Sequence, residues 1–129
     1  MARLEHANVT VSDPASTAAW MRNVFNWTIR WQGDAIADGH TIHVGGPDTY
    51  LALYRPAKPA HAGTSSYDTV GGLNHVGVVV DELDATEARV RKAGFLPKNQ
   101  ADYEPGRPFY FEADNGSESQ GANYDDKSV

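Results

Sequence analysis

The chain has 129 residues, a formal net charge of −6 at pH 7, 40% hydrophobic and 22% charged residues, and no cysteine. That length suits a single domain spanning 1–129 that buries its core without staples, and the missing cysteine excludes disulfides, thiolate metal sites and cysteine nucleophiles. The eleven Lys and Arg are scattered rather than clustered, which argues against nucleic acid, whose binding rests on neutralising phosphates. No apolar run approaches the ~18 residues of a membrane span, and the start MARLEHANVT lacks the apolar centre of a signal peptide. A soluble, cytoplasmic protein without a membrane partner is therefore expected. The acidic balance favours a cationic ligand over an anionic one.

In chain order, LEHANVTV (4–11) alternates as a half-buried strand does. Ala7, Val9 and Val11 fall on one face and Leu4, His6, Asn8 and Thr10 on the other. SDPASTAAWMRNVFN opens a helix: Ser12 or Asp13 can cap it, Pro14 suits its first position, and Ala18, Met21, Val24 and Phe25 form its apolar stripe. WTIRWQ (27–32), HTIHVG (40–45) and TYLALYRP (49–56) read as strands, separated by the turns GDAIADG and GGPD. These elements make a first βαβββ module of about residues 3–56.

Residues 57–71, AKPAHAGTSSYDTVG, are rich in Ala, Pro, Gly and Ser and read as a linker. The order then repeats over about 72–124. LNHVGVVVD is a strand, and ELDATEARVRKAG a helix with Ala85, Ala88 and Val90 inward and Gly94 as its stop. FLPKNQ and PFYFEAD follow as strands, with Phe109 and Phe111 on the face opposite Tyr110. The last expected strand, SESQGANYDDKSV, has no large aliphatic residue before Val129, so its register is weakly specified; it pairs as an edge strand or frays.

The repeat is visible at residue level. Leu4 answers to Leu73, His6 to His75, Val9 to Val78, Val11 to Val80 and Asp13 to Glu82, at one constant spacing. A module of roughly 50–60 residues cannot bury its own sheet face and needs its twin. The predicted fold class is α+β, two tandem βαβββ modules. A histidine on a half-exposed strand face is more often a hydrogen-bonded structural residue than a ligand. Two at equivalent places in a repeat favour a shared function.

LEHANVTVSDPASTAAWMRNVFNW, YLALYRP, GGLNHVGVVVDELDATEARVRKAG and FYFEADNGSESQ, in that order, resemble the vicinal oxygen chelate superfamily of glyoxalase I, fosfomycin-resistance enzymes, extradiol dioxygenases and bleomycin-resistance proteins. The resemblance covers Leu4 to about Gln120. It implies that the two modules form a cupped, partly closed mixed sheet with helices outside, around a divalent metal, Fe, Mn, Ni or Zn, with ligands from the first and last strand of each module, and a homodimer. Carried over position by position, His6 and His75 are the first-strand ligands. Ala52 stands where glyoxalases have a glutamate, and Gln120 where nearly all the metalloenzymes have one. Alanine neither ligates nor takes a proton, which argues against a glyoxalase reaction.

The resemblance thus implies a three-ligand metal-dependent enzyme, with His6, His75 and Gln120 holding the ion and Glu118, two residues away on the same face, as the substitute. The ion would accept two neighbouring oxygens of a small organic substrate for ring-opening dioxygenation, thiol addition or isomerisation. The alternative is a metal-free, bleomycin-resistance-like protein that sequesters an aromatic or cationic compound. Tyr50 and Tyr54 around the small Ala52, with Tyr110 and Glu118, would line a substrate pocket, near which Trp27 and Trp31 fall. His43, beside Thr41, is the candidate acid/base. His40 and His61 read as surface residues, and Glu112, Asp114 and Glu118 as a solvated acidic turn.

Overall fold

A computed structural model describes residues 1–58, 65–99, 109–112 and 118–122. The chain divides into two compact units, 1–63 and 64–129, and each has the predicted βαβββ order. The first comprises β1 (His6–Thr10), α1 (Pro14–Phe25), β2 (Thr28–Ala35), β3 (Gly39–Gly45) and β4 (Tyr50–Arg55); the second comprises β5 (His75–Val79), α2 (Leu83–Lys92), β6 (Lys98–Asn99), β7 (Phe109–Glu112) and β8 (Glu118–Ala122). Each sheet is open and mixed. The orders are β1-β4-β3-β2 and β5-β8-β7-β6, with the first and last strands of each unit parallel and the rest antiparallel.

Local chemistry fixes the first helix. The Asp13 carboxylate accepts the Ser16 backbone N–H at 3.2 Å, Pro14 opens the first turn, and Asn26 closes the last in the left-handed region at φ 60°. The predicted stripe of Ala18, Met21 and Val24 is buried and Phe25 half-buried, with Trp20 and Thr17 added to the buried set. This stripe packs on β3 and β4, where Ile42, Val44, Leu51 and Leu53 form the other half of the core. The opposite sheet face is therefore the one carrying His6, Asn8, Tyr50, Ala52 and His43.

Three expectations need correction. Val90 is buried as expected, but Ala85 and Ala88 are exposed, and Leu83 and Thr86 are buried in their place. Threonine can be buried there because its hydroxyl donates to the Glu82 carbonyl at 2.8 Å, so no polar group is stranded. GDAIADG is mostly strand: β2 runs on to Ala35, and the reversal occupies only residues 36–38. β8 is neither an edge nor frayed over Glu118–Ala122, because it lies between β5 and β7. Main-chain pairing on both sides holds it where its side chains give little apolar drive.

Gly94 ends the second helix region at φ +98°. Phe109 and Phe111 are buried, with Phe95 stacked on Phe111 at 5.6 Å. Among the described residues no helix is long and apolar enough to cross a membrane.

Candidate functional site

The register of the two sheets gives the repeat a geometric meaning. In the first unit His6 pairs with Tyr50 and Asn8 with Ala52; in the second His75 pairs with Glu118 and Gly77 with Gln120. Ala52 and Gln120 thus hold equivalent places, each opposite the residue two beyond the histidine. His43 pairs with Ala52 as Tyr110 pairs with Gln120, so these two are equivalent as well. The side chains of Tyr110, Glu118 and Gln120 lie outside the described set, as do His61 and Asp114 altogether.

Each repeated histidine bonds the side chain before it. Nδ1 of His6 lies 2.9 Å from the Glu5 carboxylate, and Nδ1 of His75 lies 2.9 Å from the Asn74 amide oxygen. An acceptor oxygen requires Nδ1 to carry a proton, so the two rings share the same Nδ1 donor role.

On the first unit's open face the rings form a series. Tyr50 stacks on His6 with centroids 4.9 Å apart and on His43 at 4.6 Å, at interplanar angles of 12° and 22°. Trp31 continues it, tilted against His43 at 5.1 Å and 53% exposed. Ala52 is buried at the floor between these taller neighbours. Tyr54, the other expected pocket residue, donates its hydroxyl to the Ile36 carbonyl at 3.0 Å and so is tied to the β2–β3 turn. Trp27 packs on Phe25 at 4.9 Å, and His40 lies 3.4 Å from the Gln32 side-chain oxygen.

Arg30 belongs to this face and was not among the residues marked by the sequence. Its guanidinium carbon sits 4.5 Å from the Tyr50 ring centroid, within cation–π range. The cause is a β-bulge. Ile29 pairs with Val44 and Trp31 with His43, so Arg30 is an extra residue in β2, and two consecutive side chains reach rings of the same face. Glycine at position 33 completes the arrangement, since a Cβ there would lie 2.7 Å from the Trp31 indole.

His43 titrates below the ordinary histidine value. Burial is the first cause, followed by the nearby His6 and Arg30, while Glu5 acts in the opposite direction. A neutral imidazole can donate one hydrogen bond and accept another, which leaves His43 able to exchange a proton or hold a polar ligand group. Thr41, on the same face beside it, is buried, and its hydroxyl has no hydrogen-bond partner among the described residues.

A tandem βαβββ chain with matched histidines on its first strands and an aromatic open face defines a duplicated α+β protein. The sequence profile of the Glyoxalase/Bleomycin resistance protein/Dioxygenase superfamily matches residues 3–118, and the chain belongs to that superfamily. No curated protein matches it. Among solved structures it is similar to a glyoxylase/bleomycin resistance protein/dioxygenase domain from Frankia sp. EAN1pec, with a TM-score of 0.81, 18% identity, and 98% of this chain and 94% of that one covered. It is also similar to TnmS3, an antibiotic binding protein from Streptomyces sp. CB03234, at TM-score 0.73 and 18% identity, covering 96% and 97%. A third is a variant of the fosfomycin resistance protein FosX from Listeria monocytogenes, complexed with Mn(II) and 1S,2S-dihydroxypropylphosphonic acid, at TM-score 0.71 and 16% identity, covering 95% and 92%. At these identities the likeness shows a common fold.

Proposed function

We propose that the open face of the first unit binds a small planar organic molecule. The observation that carries this reading is the ring series His6–Tyr50–His43–Trp31 standing around the low floor at Ala52. Rings already stacked on one another lose little side-chain freedom when a ligand joins them, so stacking energy is retained as affinity. A half-exposed indole at the end of the series gives apolar surface that a flat ligand removes from water. Ala52 supports it further: where a longer side chain would fill the face, a methyl group leaves room. TnmS3, an antibiotic binding protein of the same fold, is the comparison that points the same way.

The test is calorimetric titration with 2-naphthylmethanol, a neutral planar probe. Saturable binding at one site per chain is expected, weakened about tenfold or more by Tyr50→Ala, which removes the ring at the centre of the stack. Ala52→Leu should weaken it as well by raising the floor. Binding that never saturates, or that is indifferent to both changes, would sink this reading.

A second reading, a divalent-metal enzyme of the three-ligand type, is favoured by one specific observation: the matched Nδ1 bonds of His6 and His75, in which both first-strand rings turn Nδ1 to the side-chain oxygen of the preceding residue. The donor set fits such an ion in part. Two imidazoles suit Mn, Fe, Ni or Zn, Ala52 supplies no donor, and among the described residues no three His, Asp or Glu side chains cluster. Gln120, or Glu118 in its stead, would complete the set from β8. A bound ion would act as a Lewis acid toward two adjacent oxygens of the substrate. His43 is the residue on this face that we assign to hold or pass a proton.

A further inference from the structure

We infer that the planar ligand of the first unit is an aromatic carboxylate, its ring against the Tyr50 and His43 stack and its carboxylate on Arg30. This rests on the planar-ligand reading above and adds the charge of the ligand to it.

The overall charge of −6 favours a cation, but the charge seated over the central ring of this face is the Arg30 guanidinium. Among the described residues of its four strands, the face carries His6, Asn8 and Thr10 from β1, Tyr50, Ala52 and Tyr54 from β4, Thr41 and His43 from β3, and Trp31 and Gly33 from β2. None is a carboxylate. Asp34 pairs with His40 and Arg55 also pairs with His40, so both belong to the other face. Glu5 is engaged by Nδ1 of His6. Two fixed charges reach the rings: Glu5 at the His6 end, and Arg30, which sits over Tyr50 and arrives there through the bulge.

That delivery is informative because a bulge interrupts a ladder and leaves one residue unpaired. Here the interruption brings a guanidinium onto a tyrosine ring beside an indole. A guanidinium held over a ring has its planar N–H fork restrained, which suits bidentate capture of a carboxylate on a ligand beside it. Lysine, a point charge on a flexible stem, would not be held in this way.

Two uncharged groups on the same face add polar anchoring. The Thr41 hydroxyl is buried without a hydrogen-bond partner among the described residues, and such a group is normally satisfied by a ligand or water. Opposite it stands Gly33, with the Trp31 indole close to where a Cβ would be. His43, held toward its neutral form by burial, His6 and Arg30, adds a donor without repelling or neutralising the guanidinium.

Three probes with one ring system test the inference by calorimetry: naphthalene-2-carboxylate, 2-naphthylmethanol and 2-naphthylmethylammonium. In the wild type the carboxylate should bind about tenfold tighter than the alcohol, as expected for a charge-assisted hydrogen bond, and the ammonium weakest. Arg30→Gln should erase the preference for carboxylate over alcohol, and Arg30→Lys should retain only part of it. Arg30 is exposed, so thermal melts of these variants should match wild type. Equal affinity for carboxylate and alcohol, or a preference that survives Arg30→Gln, overturns the anion assignment while the planar site stands. Failure of all three probes to bind overturns both.

Discussion

His43 has the most informative environment of any single residue. Burial disfavours its charged form, and His6 and Arg30 add to the effect against the weaker pull of Glu5. The folded chain therefore binds fewer protons at this site than the unfolded chain between the lowered folded value and about 6.5. The stability it contributes is fully present above about pH 6.5 and is lost as pH falls through the folded value. An NMR titration of its ring protons should give a midpoint below 6.5; Arg30→Gln should move that midpoint up and Glu5→Gln further down. A midpoint at or above 6.5, or movement in the reverse sense, would contradict this electrostatic picture. Period-two alternation grouped His6 with Asn8 and Tyr50 with Ala52, because a side chain's face in a strand depends only on its parity, while the strand pairing puts both groups on one sheet face. Arg30 was not legible, since strict alternation in TIRWQ assigns Arg30 and Trp31 to opposite faces. An inserted residue resets that parity, and no local sequence signal announces it.

Among the elements, the β2–β3 hairpin holds the clearest local conflict. The Gly39 N–H bonds the Ile36 carbonyl at 3.0 Å, and Ala37 and Asp38 between them lie at φ 57° and 53°. Two consecutive left-handed residues are the type I′ turn of a tight hairpin, which prefers Asn-Gly. Alanine pays a steric cost there that asparagine largely avoids. Ala37→Asn should therefore raise stability by about 0.5–1 kcal/mol, and Ala37→Val should lower it by a similar or larger amount. Chemical denaturation measures both; a stabilising valine would show that the turn is not left-handed at position 37. Gly39 cannot vary in the same way, because a Cβ there would lie 2.4 Å from the Arg55 carbonyl oxygen. The sequence indicated a turn near this glycine but made it too long, because Gly33–Ala35 read as turn formers when they are in fact paired in β2. The helix starts and stops were legible from Asp13, Pro14 and Gly94. The inward face of α2 was not, because Thr86 hides its polarity in a bond to its own helix.

At the scale of the whole molecule, the duplication sets a histidine at one register position in each unit and different residues at the position that follows. Ala52 and Gln120 are equivalent by strand pairing, one without a donor and one with a neutral amide. Metal affinity rises with the negative charge of the ligand set, so an ion held by imidazoles and an amide is held weakly. Titration of Mn(II) into the wild type, monitored by calorimetry, separates the two readings of function. The metal reading requires one ion per chain, lost in both His6→Ala and His75→Ala, and bound about tenfold tighter in Gln120→Glu, where a carboxylate replaces the amide. Loss in only one histidine variant would reject a site that uses both units. If the wild type takes no Mn(II) and Gln120→Glu acquires it, the two histidines already form the rest of a metal site in a chain whose amide keeps it empty. The aromatic face of the first unit would then be the functional centre, and Arg30, rather than an ion, would be the positive charge its ligand meets.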